Sequence, residues 1–157
     1  MSDLTTVYTK DAAFPAGPYS QAIKTSSTIY CSGRKLVPYF NSISFNNNIP
    51  FHREHSIDLS PAEIPCTPEG EILTLETSSI SAMTELCIKN LSAVLKEAGS
   101  SIEKVVKVNV FLTTMDNFAE MNGVYEKLFK HKPARSCVAV YQLPKGVPVE
   151  IECIALA

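Results

Sequence analysis

The stretch that decides the fold is residues 105–141, VVKVNVFLTTMDNFAEMNGVYEKLFKHKPARSCVAVY. In its first part apolar residues alternate with others, which predicts a strand whose apolar face carries Val106, Val108, Val110 and Leu112. A helix is expected from Phe118 to about Phe129, because Asn117 and Glu120 have the spacing of a capping box. Residues 134–141 predict another strand, so the stretch is a strand, a helix and a strand.

Upstream, residues 20–24 and 28–32 predict two short strands around a polar turn. Residues 78–98 carry the clearest helical pattern, because apolar residues recur at three- and four-residue steps. That stripe consists of Ile80, Met83, Cys87, Leu91, Val94, Leu95 and Ala98. Thr77, Ser78 or Ser79 can cap the start of this helix, and Gly99 suits a left-handed stop at its end.

Downstream, residues 147–156 predict a last strand, and Leu143-Pro144-Lys145-Gly146 has the composition of a hairpin turn. The order of elements predicts a single α+β domain over residues 1–157, a mixed β-sheet with two helices packed on one face. The other face would be uncovered, so oligomerisation is expected. The exception is an inserted segment at about 36–68, rich in proline and asparagine and without periodicity.

Composition narrows the functional classes. The chain has 157 residues, of which 45% are hydrophobic and 19% charged, and its net charge is −2. These values favour a globular protein and do not favour a nucleic-acid partner. Five cysteines without C-x-x-C spacing favour reduced thiols over disulfides or zinc. His52-Arg53-Glu54-His55 resembles half a metal site but has no third ligand, so no metal is expected.

Neither a targeting signal nor a membrane-spanning segment is visible in the sequence. Residues 1–15 contain neither an apolar signal core nor an Arg-rich amphipathic stretch. No apolar run approaches the roughly 18 residues that a membrane span needs. The expected location is therefore the cytoplasm, with the mitochondrial matrix and the nucleus left open, and no membrane partner is expected.

The last two predicted strands carry the charged residues of interest. Glu150 and Glu152 share one strand face, and Arg135 and Cys137 share another. If these strands pair as a hairpin, Arg135 approaches a carboxylate. One interpretation is a surface ion pair worth about 1 kcal/mol or less. The other is a site that binds an anionic substrate through Arg135 and activates water through a glutamate. No histidine is placed near Cys137, which favours a packed or site-lining thiol over a nucleophile.

Several stretches together resemble the RidA (YjgF) family of enamine/imine deaminases, in the style of its fungal members. They cover nearly the whole chain outside the insertion: residues 17–23 (GPYSQAI), 31–33 (CSG), 105–129, 132–140 (KPARSCVAV) and 143–155 (LPKGVPVEIECIA). The chain departs from the family pattern at Arg34-Lys35, where glutamine and a small apolar-proline pair are usual.

The resemblance implies a chorismate-mutase-like fold assembled as a homotrimer, with active sites in clefts between subunits. It implies hydrolysis of 2-aminoacrylate and 2-iminobutanoate to 2-keto acids and ammonia, without a cofactor or metal. Arg135 would hold the carboxylate of the small imino acid, and Glu150 would position or deprotonate water. The pocket would be lined by Tyr19, Ser32, Gly33, Asn122 and Cys137.

Two other functions stay open on the same scaffold. The first is a non-enzymatic module that binds keto acids or other small metabolites without turnover. The second is an endoribonuclease or translation inhibitor, against which the acidic balance and the missing general-base histidine count.

Overall fold

The computed structural model describes residues 4–15, 18–32 and 64–157, which form a six-stranded sheet and two α-helices. The elements are β1 Thr5–Val7, β2 Ala22–Lys24, β3 Thr28–Cys31, α1 Ile80–Glu97, β4 Val105–Leu112, α2 Phe118–Leu128, β5 Ala134–Ala139 and β6 Val149–Leu156. The predicted α+β class is thereby confirmed. Neither of the described α-helices has the length and apolar character needed to cross a membrane.

The sheet has the strand order β1-β2-β3-β6-β4-β5. Only β4 and β5 run parallel, because α2 carries the chain back across the sheet between them. The predicted pairing of the last two strands is wrong, since β4 lies between β5 and β6 and pairs with both. Their connection contains a 3-10 turn at Pro144–Gly146 instead of a hairpin turn. β5 therefore forms one edge of the sheet.

Helices α1 and α2 pack on one face of the sheet and enclose the main core. The predicted stripe of α1 is buried there together with alternate residues of β4 and β6. The Ser79 hydroxyl accepts a hydrogen bond from the Ala82 N–H at 3.1 Å, and Gly99 adopts a φ of +80° just after the helix. Both ends of the helix match the cap and the stop expected from the sequence.

Two local predictions around the central stretch are wrong. A register shift between Val105 and Lys107 turns Val106 outward, so Val106 is 44% exposed and Val105 takes its place in the core. The Asn117 side chain makes no capping hydrogen bond. Glu120 does not complete the capping box, because its carboxylate accepts from the Ser81 N–H at the start of α1, at 2.8 Å.

The N-terminal strand β1, which pairs with β2, was not predicted, and the buried side chain of Gln21 holds the segment that follows it. Its Oε1 accepts from the Thr9 N–H at 2.6 Å. Its Nε2 donates to the carbonyls of Thr9 at 3.1 Å and Ala13 at 2.8 Å. One side chain thus satisfies three main-chain groups of the segment that follows β1.

Most of the predicted insertion, residues 36–63, lies outside the described residues. Its end is packed, because Ile64 and Cys66 are fully buried in a second apolar cluster that also contains Leu143 and Val147. Asn90 of α1 donates to the Cys66 carbonyl at 2.9 Å. The second cluster contacts Phe111, which belongs to the set of β4 residues that face away from the main core.

Candidate functional site

Arg135 lies on the edge strand β5 and points toward helix α2. Arg135 pairs with Val108 on β4, and Val108 is buried under the helices. The Arg135 side chain therefore points to the same helix-covered face of the sheet. Its Nη1 donates to the Asn122 Oδ1 at 2.8 Å. Its Cζ lies 4.5 Å from the ring centroid of Tyr125 and 5.6 Å from that of Phe118. The three contact residues stand at i, i+4 and i+7, so one stripe of α2 holds the guanidinium.

This arrangement leaves Arg135 able to bind an anion. A guanidinium has five N–H donors, and its planar fork suits a carboxylate. In the described part of the chain, Asn122 is its one hydrogen-bond acceptor, and the side chain is half-buried. An asparagine within a helix usually faces solvent, but the structure places Asn122 beside Arg135.

Cys137 lies two residues beyond Arg135 on the same face of β5. Burial raises the pKa of its thiol, and the nearby Arg135 cation opposes that rise only in part. The group is therefore a protonated thiol at neutral pH, which is a poor nucleophile. A protonated thiol fits the predicted packed or site-lining group better than it fits a nucleophile.

His131 is held away from Cys137 by a main-chain contact of its own: its ring Nε2 lies 2.9 Å from the Val105 carbonyl oxygen.

No metal-binding cluster is found within residues 4–15, 18–32 and 64–157, where no group of three or more His, Cys, Asp or Glu residues could hold an ion. The sequence 52–55 that resembles half a metal site lies outside these ranges. All five cysteines are thiols.

Glu150 lies on β6 and points to the opposite face of the sheet. It is level with Phe111 on β4, whose side chain packs against the second apolar cluster. Glu150 is 2% exposed. Glu152 shares this face, as predicted, but its Oε1 accepts from the Asn109 Nδ2 at 2.6 Å. Glu150 is therefore buried, whereas Glu152 is half-buried and hydrogen-bonded to β4.

Ser32 lies near this second face. It follows the pair Cys31 and Cys153, so the same register places it opposite Glu152. The Ser32 hydroxyl donates to the Ser20 carbonyl at 2.6 Å, which brings it close to the segment containing the half-buried Tyr19. Gly33 lies outside the described residues.

Five of the predicted site residues therefore fall into two groups. Arg135, Asn122 and Cys137 form what we call the arginine half, on the helix-covered face. Glu150 and Ser32 belong to the glutamate half, on the other face. Strand β4 separates β5 from β6, so the two halves do not meet within one chain. The expectation that Arg135 reaches a glutamate across a hairpin is wrong.

Two aromatic residues that contact Arg135, Phe118 and Tyr125, were not predicted from the sequence. Their helical spacing from Asn122 is visible in the sequence. The sequence does not show that this stripe contacts Arg135, because the contact forms only when β5 packs parallel to β4.

A groove of about 370 Å³ lies elsewhere, where α1 meets the segment before β4. Neither Arg135 nor Glu150 lines it. Its walls are Glu85, Ile88, Lys89, Ser92, Ser101, Ile102, Glu103 and Leu128. The groove therefore belongs to neither half.

Comparison with known proteins identifies relatives over nearly the whole chain. A family model described as Endoribonuclease L-PSP matches residues 63–157. The mitochondrial protein mmf1 of Schizosaccharomyces pombe is 43% identical over 145 residues, covering 90% of this chain and 69% of that protein. Protein HMF1 of Saccharomyces cerevisiae is 37% identical over 156 residues, covering 99% of this chain and 96% of HMF1.

Solved structures show the same fold. The crystal structure of yeast Mmf1 matches with a TM-score of 0.75 and 40% identity, covering 98% of each chain. That of E. coli TdcF with bound serine matches with a TM-score of 0.74 and 29% identity, again covering 98% of each chain. The chain therefore belongs to the endoribonuclease L-PSP family, which is also called the YjgF or RidA family.

Proposed function

We propose that this protein hydrolyses the reactive intermediates 2-aminoacrylate and 2-iminobutanoate to 2-keto acids and ammonia, without a cofactor. The observation that carries the proposal is the presence of both an arginine half and a glutamate half in one chain. An arginine is held with donors available on one sheet face, and a glutamate is buried on the other. Such a pair can fix an anionic substrate and move a proton beside it.

The arginine half fits the carboxylate of an imino acid. Arginine binds carboxylates through two parallel N–H donors, and Asn122 occupies only one donor of Arg135. The E. coli relative whose structure contains serine supports this class of ligand, since serine carries the same α-carboxylate. Cys137 contributes a neutral thiol to the wall beside it.

The glutamate half fits the hydrolytic step. 2-Aminoacrylate first becomes an imine, as its methylene carbon gains a proton and its nitrogen loses one. Water then adds to the imine carbon: the C–O bond forms, the π bond of the C=N group breaks, and the nitrogen gains a proton to give a carbinolamine. The C–N bond then breaks, ammonia leaves, and the hydroxyl proton is lost as the keto group forms. A carboxylate in the position of Glu150 takes the proton of the attacking water and returns one to the leaving nitrogen. Fixing substrate and water together lowers the entropic part of the barrier.

The assembly we propose is a homotrimer whose active sites lie between subunits. Because the two halves face opposite sides of one sheet, a complete site needs Arg135 from one protomer and Glu150 from the next. A cyclic trimer gives three equivalent sites of this kind. Strand β5, which carries Arg135, lies at one edge of the sheet formed by the described residues, and this position supports contact with a neighbouring protomer.

The test is an assay coupled to a threonine dehydratase, in which the release of 2-oxobutanoate and ammonia is followed with and without the protein. Arg135→Ala should lose nearly all acceleration, about thirty-fold or more, because the substrate carboxylate is left unpaired. Lys127→Ala is the matched control, since it removes an exposed cation of α2 and should keep the wild-type rate. Full activity of Arg135→Ala would overturn the assigned role.

The family description also names an endoribonuclease, which makes RNA cleavage the second candidate. RNA cleavage by rigorously purified protein that survives in Arg135→Ala would favour it. A module that only binds keto acids would instead give a calorimetric signal with 2-oxobutanoate and no acceleration in the coupled assay.

For the compartment we propose the cytoplasm or the mitochondrial matrix. Both are reducing environments, which suits five thiols. Three fungal relatives carry the word mitochondrial in their names, which supports the second location.

A further inference from the structure

We propose that Tyr125, assisted by Phe118, is a positioning residue that holds the Arg135 guanidinium through its ring face and so tunes the affinity for the substrate carboxylate. The proposal rests on the proposed role of Arg135 as the carboxylate-binding group. The carboxylate-binding role of Arg135 does not by itself explain the two aromatic side chains beside it, and the proposal gives them a function.

The contact has the geometry of a cation–π interaction. Such interactions operate when a cation lies within about 6 Å of a ring centroid, and both rings satisfy this limit around Arg135. The ring of Tyr125 is itself immobilised. Tyr125 is 6% exposed and belongs to the main core, and its ring centroid lies 4.6 Å from that of Phe129. Tyr125 is therefore a rigid support for a long, flexible side chain.

The two kinds of contact made by α2 have different consequences for binding. Asn122 holds the guanidinium by accepting one of its N–H groups, and that donor is lost to the substrate. A ring face holds the same cation without consuming a donor. Restraining the arginine before the substrate arrives also reduces the conformational freedom that binding must remove. The rings thus position Arg135 while its remaining donors stay available for a carboxylate.

The hydroxyl of Tyr125 is not the part that acts. It is buried and has no hydrogen-bond partner in the described part of the chain. Burial raises the pKa of the phenol, with the Arg135 cation opposing that shift, so the ring is neutral at working pH. The contact with Arg135 is therefore one between a cation and a neutral ring, and phenylalanine can replace tyrosine in it.

The experiment compares Tyr125→Leu with Tyr125→Phe in the full-length protein. The first readout is the Nε–H proton resonance of Arg135 in an NMR spectrum, assigned with Arg135→Lys. The second is the affinity for 2-oxobutanoate by calorimetry, followed by KM and kcat in the coupled assay. Met121→Ala is the matched control, because Met121 is a fully buried neighbour on the same helix. It should lower the melting temperature without moving either readout.

We expect Tyr125→Leu to shift the Nε–H resonance downfield, because the shielding ring is removed. It should weaken 2-oxobutanoate binding about three- to thirty-fold, mainly through KM. Tyr125→Phe should retain most of both properties. If Tyr125→Leu fails to fold, Phe118→Leu should show the same changes at smaller size, since Phe118 is half-buried and its ring is 1.1 Å farther from Cζ than that of Tyr125 (5.6 against 4.5 Å).

A folded Tyr125→Leu protein with wild-type resonance and affinity would overturn the proposal, as would a Tyr125→Phe protein that is equally impaired. Failure of the deaminase proposal looks different. In that case the wild-type protein does not accelerate imine hydrolysis, yet the resonance still reports whether the rings hold Arg135.

Discussion

Two inactive variants should restore activity when they share a trimer. The structure places Arg135 and Glu150 on opposite faces of one sheet, separated across β4. In the proposed trimer, a complete site takes Arg135 from one protomer and Glu150 from its neighbour. Arg135→Ala and Glu150→Gln should each be inactive alone, because every site in either protein lacks one essential group.

The recovered fraction follows from this arrangement. When the two variants are co-expressed in equal amounts and assemble at random, half of the protomers supply an intact Arg135 and half supply an intact Glu150. About one quarter of the interfaces then combine both groups, so about one quarter of the wild-type rate is expected. The rate is measured in the dehydratase-coupled assay on trimers purified through a different tag on each variant and corrected for that selection.

The control for this experiment is co-expression of Arg135→Ala with Arg135→Gln. Both changes damage the arginine half, so no interface can be complete and no rate should return. Mixed trimers of Arg135→Ala and Glu150→Gln that remain at background would refute the reasoning, because sites built within one chain can never be repaired by mixing.

Two further predictions concern the fold and the chemistry of the arginine half. Gln21→Ala should lower the free energy of unfolding by about 3 kcal/mol or more, because three main-chain groups of Thr9 and Ala13 lose their partner at about 1–3 kcal/mol each. Urea unfolding measures this, and a loss below about 1 kcal/mol would contradict the assignment. Alkylation of Cys137 by iodoacetamide, followed by peptide mass spectrometry, should be slow at neutral pH and accelerate as pH rises past the ordinary thiol range, because its pKa is raised and only the thiolate reacts. Arg135→Ala removes the opposing cation and should slow alkylation further at a fixed pH; a faster reaction would show that the cation does not act on this thiol.

Local patterns in the sequence predicted the parts of the fold that depend on neighbouring residues. The buried stripe of α1, the stop at Gly99, and the buried Val108, Val110 and Leu112 were all predicted from spacing. These signals are reliable because one helix or strand buries one face of its own residues.

Errors arose where distant segments decide the structure. The adjacency of β5 and β6 in sequence suggested a hairpin, but the parallel return through α2 inserts β4 between them. Glu120 has the spacing of a capping box, yet its carboxylate accepts a hydrogen bond from the Ser81 N–H at the start of α1. The outward turn of Val106 depends on a shift in pairing with β6.

The sequence named candidate site residues, but it did not predict how they are arranged. Arg135 and Asn122 were named from the sequence and do meet. Glu150 and Glu152 were expected to share a face and do so, but only the packing around β6 shows which of them is buried. The contribution of Tyr125 required the contact between α2 and β5, which no local pattern contains.

The most direct test of a shared site is a crystal structure of the assembled protein with 2-oxobutanoate. We predict the ligand carboxylate on the N–H donors of Arg135 in one protomer, with the carboxylate of the partner's Glu150 facing the keto carbon at a distance that one water molecule bridges. Ligand bound away from Arg135, or Arg135 and Glu150 of adjoining protomers separated by bulk solvent, would contradict the account.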